Sequence, residues 1–262
     1  MTAVTTPLLA CSVENAIATL TLNHPPVNAL TPELLGELES SFDSLAKNSS
    51  VKVVIVTGTG RFFIAGADIQ VLAAIPSSRE AKEMALQGQA IFTKIEQFEK
   101  PVIAALNGTC LGGGLELAMC CHIRIAAEGA RMGQPEVNLG IIPGFGGTQR
   151  LSRLIGRSKA LELILTGDLL SASEAKALGL ISQVSPPEDL LRTAHGLARK
   201  IASKSQLAVR AALRAVTQGA ELTMQDGLRQ EAQLFADLCD SDDKREGVQA
   251  FLEKRQPQFK DR

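Results

Sequence analysis

The chain has no tryptophan and no tyrosine; its aromatic content is nine phenylalanines in 262 residues. It therefore lacks stacking platforms for unpaired bases, and 27 basic against 28 acidic side chains give no basic field for nucleic acid or an anionic membrane. Histidine is scarce too, only His24, His122 and His195, and no G-x-S-x-G elbow occurs. A serine-type hydrolytic triad has little to be built from. No segment approaches the roughly 18 consecutive apolar residues of a membrane-crossing helix. The opening "MTAVTTPLLACSVENAIATL" shows no basic region followed by a clear apolar one, so a cytoplasmic protein is expected. Five cysteines (Cys11, Cys110, Cys120, Cys121, Cys239) are an odd number without a C-x-x-C pair. They read as reduced, buried thiols rather than a disulfide set or a metal site.

What is present is a packed globule's composition, 45% hydrophobic and 21% charged, at a length one large α/β domain can reach. Alternation near the end of "VENAIATLTLN" (Val13 to Asn23) predicts a strand, and Thr31-Pro32 opens a helix on Leu34, Leu35, Leu38, Phe42 and Leu45 that ends near Asn48. A β-branched run at Val51 to Thr57 and an apolar run at Pro101 to Leu106 read as strands, with a helix from Ser78 to Phe98 between them. Gly112–Gly114 opens another helix, and Ile123 to Ala127 closes that unit as a strand. Such alternation favours α/β with largely parallel strands. From Gly147 onward the pattern is helical apart from Leu180 to Val184, with helices over Pro186 to Lys204, Gln206 to Gln218, Leu222 to Asp240 and Asp243 to Arg255. A helical C-terminal subdomain is expected to begin near residue 190.

Three glycine-bearing segments carry the chemistry. In "LGGGLELAMCCHI" (Leu111 to Ile123) a helix start with bare backbone N–H groups runs into an apolar stretch holding one acid, Glu116. Two readings fit it: a first-turn carboxylate favoured by the helix dipole, or a buried acid kept for function. "MGQPEVNLGIIPGFGGTQRL" (Met132 to Leu151) holds Glu136, either an exposed loop acid or a second functional one. Its Gly144, Gly146 and Gly147 lack a Walker lysine, and "GTGRFF" (Gly58 to Phe63) fails the dinucleotide pattern. "RFFIAGADIQ" (Arg61 to Gln70) again offers small residues around exposed N–H groups.

In combination with "NHPPVNAL", "GLISQV" and the terminal "GVQAFLEKRQPQFK", these segments closely resemble the crotonase superfamily, and within it the enoyl-CoA hydratases of fatty-acid β-oxidation. The resemblance spans nearly the whole chain. It implies an α/β crotonase-like (ClpP/crotonase) spiral of ββα units. Residues 1–190 would form the core with the CoA and active site, and 191–262 a helical trimerisation and lid subdomain. It places an oxyanion hole at the N–H groups of Ala67 and Gly113, the base that activates water at Glu116, and the acid that protonates C2 at Glu136. Ala65, Asp68, Ile69 and Gln70 fall at the CoA-binding positions; many relatives carry Lys where this chain has Gln70. Lys254 and Lys260 are further candidates for the CoA phosphates. His122 stands where relatives often have Asp, and is read as a structural helix residue.

The implied reaction is reversible syn addition of water to trans-2-enoyl-CoA, giving 3-hydroxyacyl-CoA. A methylglutaconyl-CoA-type or other specialised hydratase or isomerase is the alternative. The resemblance also implies an acyl-CoA thioester as the partner, no metal or redox cofactor since coenzyme A is part of the substrate, and a homotrimer or dimer of trimers. Some hydratase-like proteins bind RNA; near-neutral charge and the missing Trp and Tyr speak against that here.

Overall fold

The computed structural model describes residues 7–262, so the beginning of the stretch inspected for a leader lies outside the described residues. The chain opens with a hairpin of β1 (Leu9–Glu14) and β2 (Ile17–Leu22), paired antiparallel from Leu9↔Leu22 to Glu14↔Ile17. Asn15 (φ 51°) and Ala16 (φ 63°) both adopt the left-handed conformation of a two-residue hairpin turn. The expected single strand over Val13 to Asn23 is thus two. The turn carries Asn-Ala rather than the usual Asn-Gly, and five of the six β1 residues face solvent without alternation. Helix α1 (Pro32–Lys47) starts at the Thr31 cap, whose hydroxyl accepts from Leu34 N at 3.3 Å, and buries the five predicted apolar residues.

Three turns of a spiral follow. The first is β3 (Val53–Gly58), β4 (Phe62–Ile64), α2 (Ile69–Ala73) and α3 (Ser78–Glu96). The second is β5 (Val102–Leu106), β6 (Thr109–Leu111) and α4 (Gly113–Cys120). The third is β7 (Ile123–Ala127), β8 (Arg131–Gly133), a 3-10 turn over Pro135–Leu139, α5 (Gly147–Ile155) and α6 (Arg157–Thr166). Each turn adds one strand to a six-stranded sheet, ordered β1-β2-β3-β5-β7-β10, and one to a four-stranded sheet, ordered β4-β6-β8-β9. Here β9 is Leu169–Ser171, followed by α7 (Ala172–Ala177), and β10 is Gln183–Ser185. Strands pair in parallel except β1 with β2 and β8 with β9. This is the crotonase-like spiral of ββα units. Strands β4, β6, β8 and β9 have three residues each, too few to show a period of two in the sequence.

One core lies between the sheets and helices α1, α3 and α4, built on Leu34, Phe42, Phe63, Phe92 and Leu117. A second covers the other face of the large sheet, where Ile17, Val53, Ile55, Ile103 and Ile125 meet Leu190, Ala194 and Ala198 of α8 (Leu190–Ala202). The expected division after residue 190 assigns α8 to the helical subdomain; its packing joins it to the core. Helices α9 (Gln206–Gly219), α10 (Met224–Leu238) and α11 (Asp242–Leu252) bury little, and leave Val216, Met224, Phe235 and Phe251 more than 70% exposed. Among the described residues no helix is long and apolar enough to cross a membrane.

Helix α4 packs closely on β4 because Gly114 has no Cβ: one built there would stand 2.5 Å from Ile64 O and 2.6 Å from Ile64 Cβ. Neither atom is a flexible chain end, so Gly114→Ala forces backbone to move. It is expected to destabilise the fold by roughly 1–3 kcal/mol, the range for overpacking a core. Equilibrium denaturation of the variant checks this, and an unchanged midpoint would show that β4 yields freely.

Candidate active site

Glu116 lies in the first turn of α4 with 1% of its surface exposed, among residues that are all buried. Its Oε1 accepts two backbone N–H groups, from Phe145 at 2.8 Å and Gly147 at 2.6 Å. Burial pushes this carboxyl up to about 7, against those N–H groups and the Arg150 guanidinium, which pull it down. An acid titrating near neutrality can hold or release a proton under working conditions, which a first-turn acid serving only the helix dipole need not do.

Glu136 sits half-buried in the 3-10 turn after β8. Its Oε1 lies 2.8 Å from where a Cβ on Gly112 would stand, while Glu116 Oε2 lies 3.9 Å from the equivalent point on Gly113. The two carboxylates therefore converge on the glycine run that opens α4. Gly112 adopts φ 50° with ψ −125°, a region open to glycine, and any side chain there would meet Glu136. Burial, followed by the negative charge of Glu116, lifts Glu136 to about 7, although its own backbone N–H opposes the rise. Two acids raised to the same range in one site titrate as a pair.

The segment bearing Ala65, Gly66, Ala67 and Asp68 is laid against the "NHPPVNAL" loop. Ala65 N donates to Val27 O at 3.1 Å, Leu30 N to Gly66 O at 2.9 Å, and Asp68 N to Leu30 O at 3.1 Å. Buried Asn28 pins that loop by donating to Phe62 O at 2.9 Å and Thr59 O at 3.3 Å. These bonds flank Ala67 and leave its own N–H out. Gly113 likewise opens α4 with an N–H that no backbone or side-chain acceptor takes among the described residues. Leu30 ties the two together: it bridges to Ala67, and its Cδ2 stands 2.9 Å from the Cβ position of Gly113. Two open N–H donors and two acids with raised pKa thus share one neighbourhood.

Of the expected CoA positions, Asp68 caps α2, accepting from Gln70 N at 2.7 Å and Val71 N at 3.4 Å, so its carboxylate is engaged within the chain. Ile69 and Gln70 are exposed. Lys254 and Lys260 are exposed in the segment after α11. His122 lies in the turn past α4, not in the helix. Its Nδ1 accepts from Val102 N at 2.8 Å and its Nε2 meets Glu96 O at 3.1 Å, and burial lowers its pKa, so it joins α3 to β5 as a neutral ring.

Sequence reasoning passed over two residues at the site. Gln134 is fully buried, and with its amide nitrogen turned toward Glu136 it donates to both carboxylate oxygens, at 3.0 and 3.2 Å. Arg150 braces the turn that holds Glu116, donating to Phe145 O at 2.9 Å. A glutamine two places before the acid and an arginine shortly after a glycine turn were the available signals, and neither is specific without the fold.

Comparison with known proteins bears on this geometry. Residues 12–262 match the family model described as enoyl-CoA hydratase/isomerase. A probable enoyl-CoA hydratase of Bacillus subtilis is 46% identical over 253 residues, covering 96% of this chain and 98% of its own. A crotonyl-CoA hydratase of Syntrophomonas wolfei is 45% identical, covering 94% and 95%. The crystal structure of an enoyl-CoA hydratase from Bacillus anthracis superposes with a TM-score of 0.93 at 40% identity, covering 97% of this chain and 100% of that one. Similarity in sequence and in fold over nearly all of its length makes this chain a member of the enoyl-CoA hydratase/isomerase family.

Proposed function

We propose that the protein is an enoyl-CoA hydratase, a hydro-lyase that adds water reversibly across the conjugated double bond of a trans-2-enoyl-CoA thioester. The observation that carries this reading is the pair of acids, Glu116 and Glu136, both raised to about 7 and both facing the glycine-bared start of α4. Hydration needs a proton taken from water as its oxygen attacks C3 and a proton delivered to C2. Two carboxylates of near-neutral pKa, one ionised and one protonated, supply both. Glu116 in its ionised form accepts the proton from water, and Glu136 in its protonated form donates to C2. The N–H groups of Ala67 and Gly113 receive the thioester oxygen and bind more strongly as enolate charge develops. A double-bond shift alone would need one acid, so the second acid favours hydration over isomerisation.

The backbone of Ala65, Asp68, Ile69 and Gln70 is assigned to the CoA moiety, which arrives as part of the substrate. The electrophile is the conjugated thioester and the steps are proton transfers, so the reading calls for no resident metal or redox group. A homotrimer or dimer of trimers is proposed, supported by the exposed Val216, Met224, Phe235 and Phe251 on α9–α11. The cytoplasm is the proposed compartment, supported by cysteines that are all free.

The test is loss of the enoyl-thioester absorbance of crotonyl-CoA on adding enzyme, with the 3-hydroxyacyl product identified and its new oxygen traced to labelled water. Labelled 3-hydroxybutyryl-CoA is the expected product. Conversion of a 3-enoyl-CoA to the 2-enoyl isomer with no water incorporated would replace the hydratase reading with an isomerase one.

A further inference from the structure

We infer that Arg150, anchored by Glu96, is a positioning residue for Glu116, fixing both the turn that grips its carboxylate and the charge beside it; this rests on the hydration reading above. Glu116 is held by Phe145 N and Gly147 N, two donors from one turn whose middle residue, Gly146, has φ 109°. Both backbone polar groups of Phe145 are used, one from each of the peptide units that flank its Cα. Its N–H points inward to Glu116, and its carbonyl points outward and accepts from Arg150 Nη1 at 2.9 Å. The rest of the guanidinium is fixed by Glu96 from α3: Nε lies 3.2 and 3.1 Å from its two oxygens, and Nη2 lies 2.8 Å from Oε2. Nη2 also reaches Thr93 Oγ1 at 3.4 Å. A side chain on Gly146 would run into Arg150, so the turn and the arginine are fitted to each other.

Arg150 does more than brace backbone, because its charge reaches the Glu116 carboxylate and favours the ionised form. The charged and titratable groups around Glu116 are Glu136 from the 3-10 turn, Arg150 from α5 with Glu96 from α3 behind it, and on α4 itself Cys120, which lies beside Arg150. Gln134 is the uncharged polar neighbour. Glu96 balances Arg150, and the balance sets how much positive charge Glu116 feels. Removing the two partners should therefore move Glu116 in opposite directions. Arg150→Met leaves Glu96 uncompensated and makes Glu116 harder to ionise. Glu96→Gln keeps an acceptor for the guanidinium but frees its charge, and makes Glu116 easier to ionise. Loosening of a purely structural brace would move both variants the same way.

The experiment is the pH dependence of kcat/KM on crotonyl-CoA for wild type, Arg150→Met, Arg150→Lys and Glu96→Gln, with thermal unfolding of each. In Arg150→Met the acidic limb is expected to move to higher pH by at least ~0.5. Its kcat is expected to fall on the order of 10- to 100-fold with KM little changed, as for a misplaced catalytic group. Arg150→Lys should recover part of the loss, and in Glu96→Gln the limb should move to lower pH. Limbs that stay in place, or move in the same direction in both variants, overturn the proposal. Should Arg150→Met not fold, Glu96→Gln decides alone by the sign of its limb. Should wild type not hydrate crotonyl-CoA, the hydration reading is what fails. The clamp is then read by the 13C titration of the Glu116 carboxyl in the same proteins, where shifts of opposite sign are still expected and equal ones still overturn it.

Discussion

Glu116→Gln is expected to lower kcat for crotonyl-CoA hydration by ~10²- to 10⁴-fold, the span for removing a positioned general base. The substitution keeps the shape of the side chain and an oxygen that can accept from Phe145 N and Gly147 N, so the turn and the helix start should survive it. What goes is the ability to accept a proton from water. Glu136→Gln should lose activity on the same scale from the other end of the reaction, because the amide has no proton of suitable acidity for C2. The double variant should lose much less than the product of the two, since both groups act in one addition. In wild type the hydration rate should be bell-shaped in pH. Activity falls on the acid side as the pair becomes fully protonated and Glu116 can no longer accept, and on the alkaline side as the pair becomes fully ionised and Glu136 can no longer donate, with both limbs near 7. Initial rates across pH, with folding checked by circular dichroism, test this. Either single variant within tenfold of wild type would remove that carboxylate from its role.

Glu116 was legible in the sequence because a lone acid in an otherwise apolar glycine-opened helix must be paired or used, and nothing around it supplied a basic partner. Glu136 drew attention only through its glycine- and proline-punctuated loop. Its nearness to Glu116 depends on β6 and β8 pairing in parallel, Cys110 with Met132 and Leu111 with Gly133, a contact between three-residue strands with no sequence signature. The parallel strands β3 and β5 read directly as apolar runs because both their faces are covered. Helix α8 was recognisable as a helix, but its allegiance to the sheet was not: Leu190, Ala194 and Ala198 form a narrow stripe of mostly small residues that only close packing explains. Arg150 and Gln134 stayed hidden for a related reason. Their importance lies in which backbone groups and carboxylates they face across the fold, and periodicity carries no information about that.

The same Glu116→Gln substitution is expected to stabilise the fold at alkaline pH while it removes activity. In the native protein burial holds the Glu116 carboxyl at about 7, against 4.5 for the free side chain. Between those values the folded state retains a proton that the unfolded chain has released, so stability falls as pH rises through the window and stays low above it. At 1.36 kcal/mol per pKa unit the difference amounts to about 3 kcal/mol at pH 8, and it vanishes below about pH 4.5. A glutamine at this position does not titrate and escapes that penalty. Denaturant unfolding at one protein concentration should therefore place Glu116→Gln above wild type by up to ~3 kcal/mol at pH 8, with the two curves converging near pH 4.5. A wild type that is the more stable at pH 8 would mean that the N–H bonds from Phe145 and Gly147 outweigh burial, and that the carboxylate is ionised well below neutrality. The expected sign follows from the chemistry: a base able to take a proton from water near pH 7 has to be held where its charged form is uncomfortable, and α4 with its apolar surroundings holds it there.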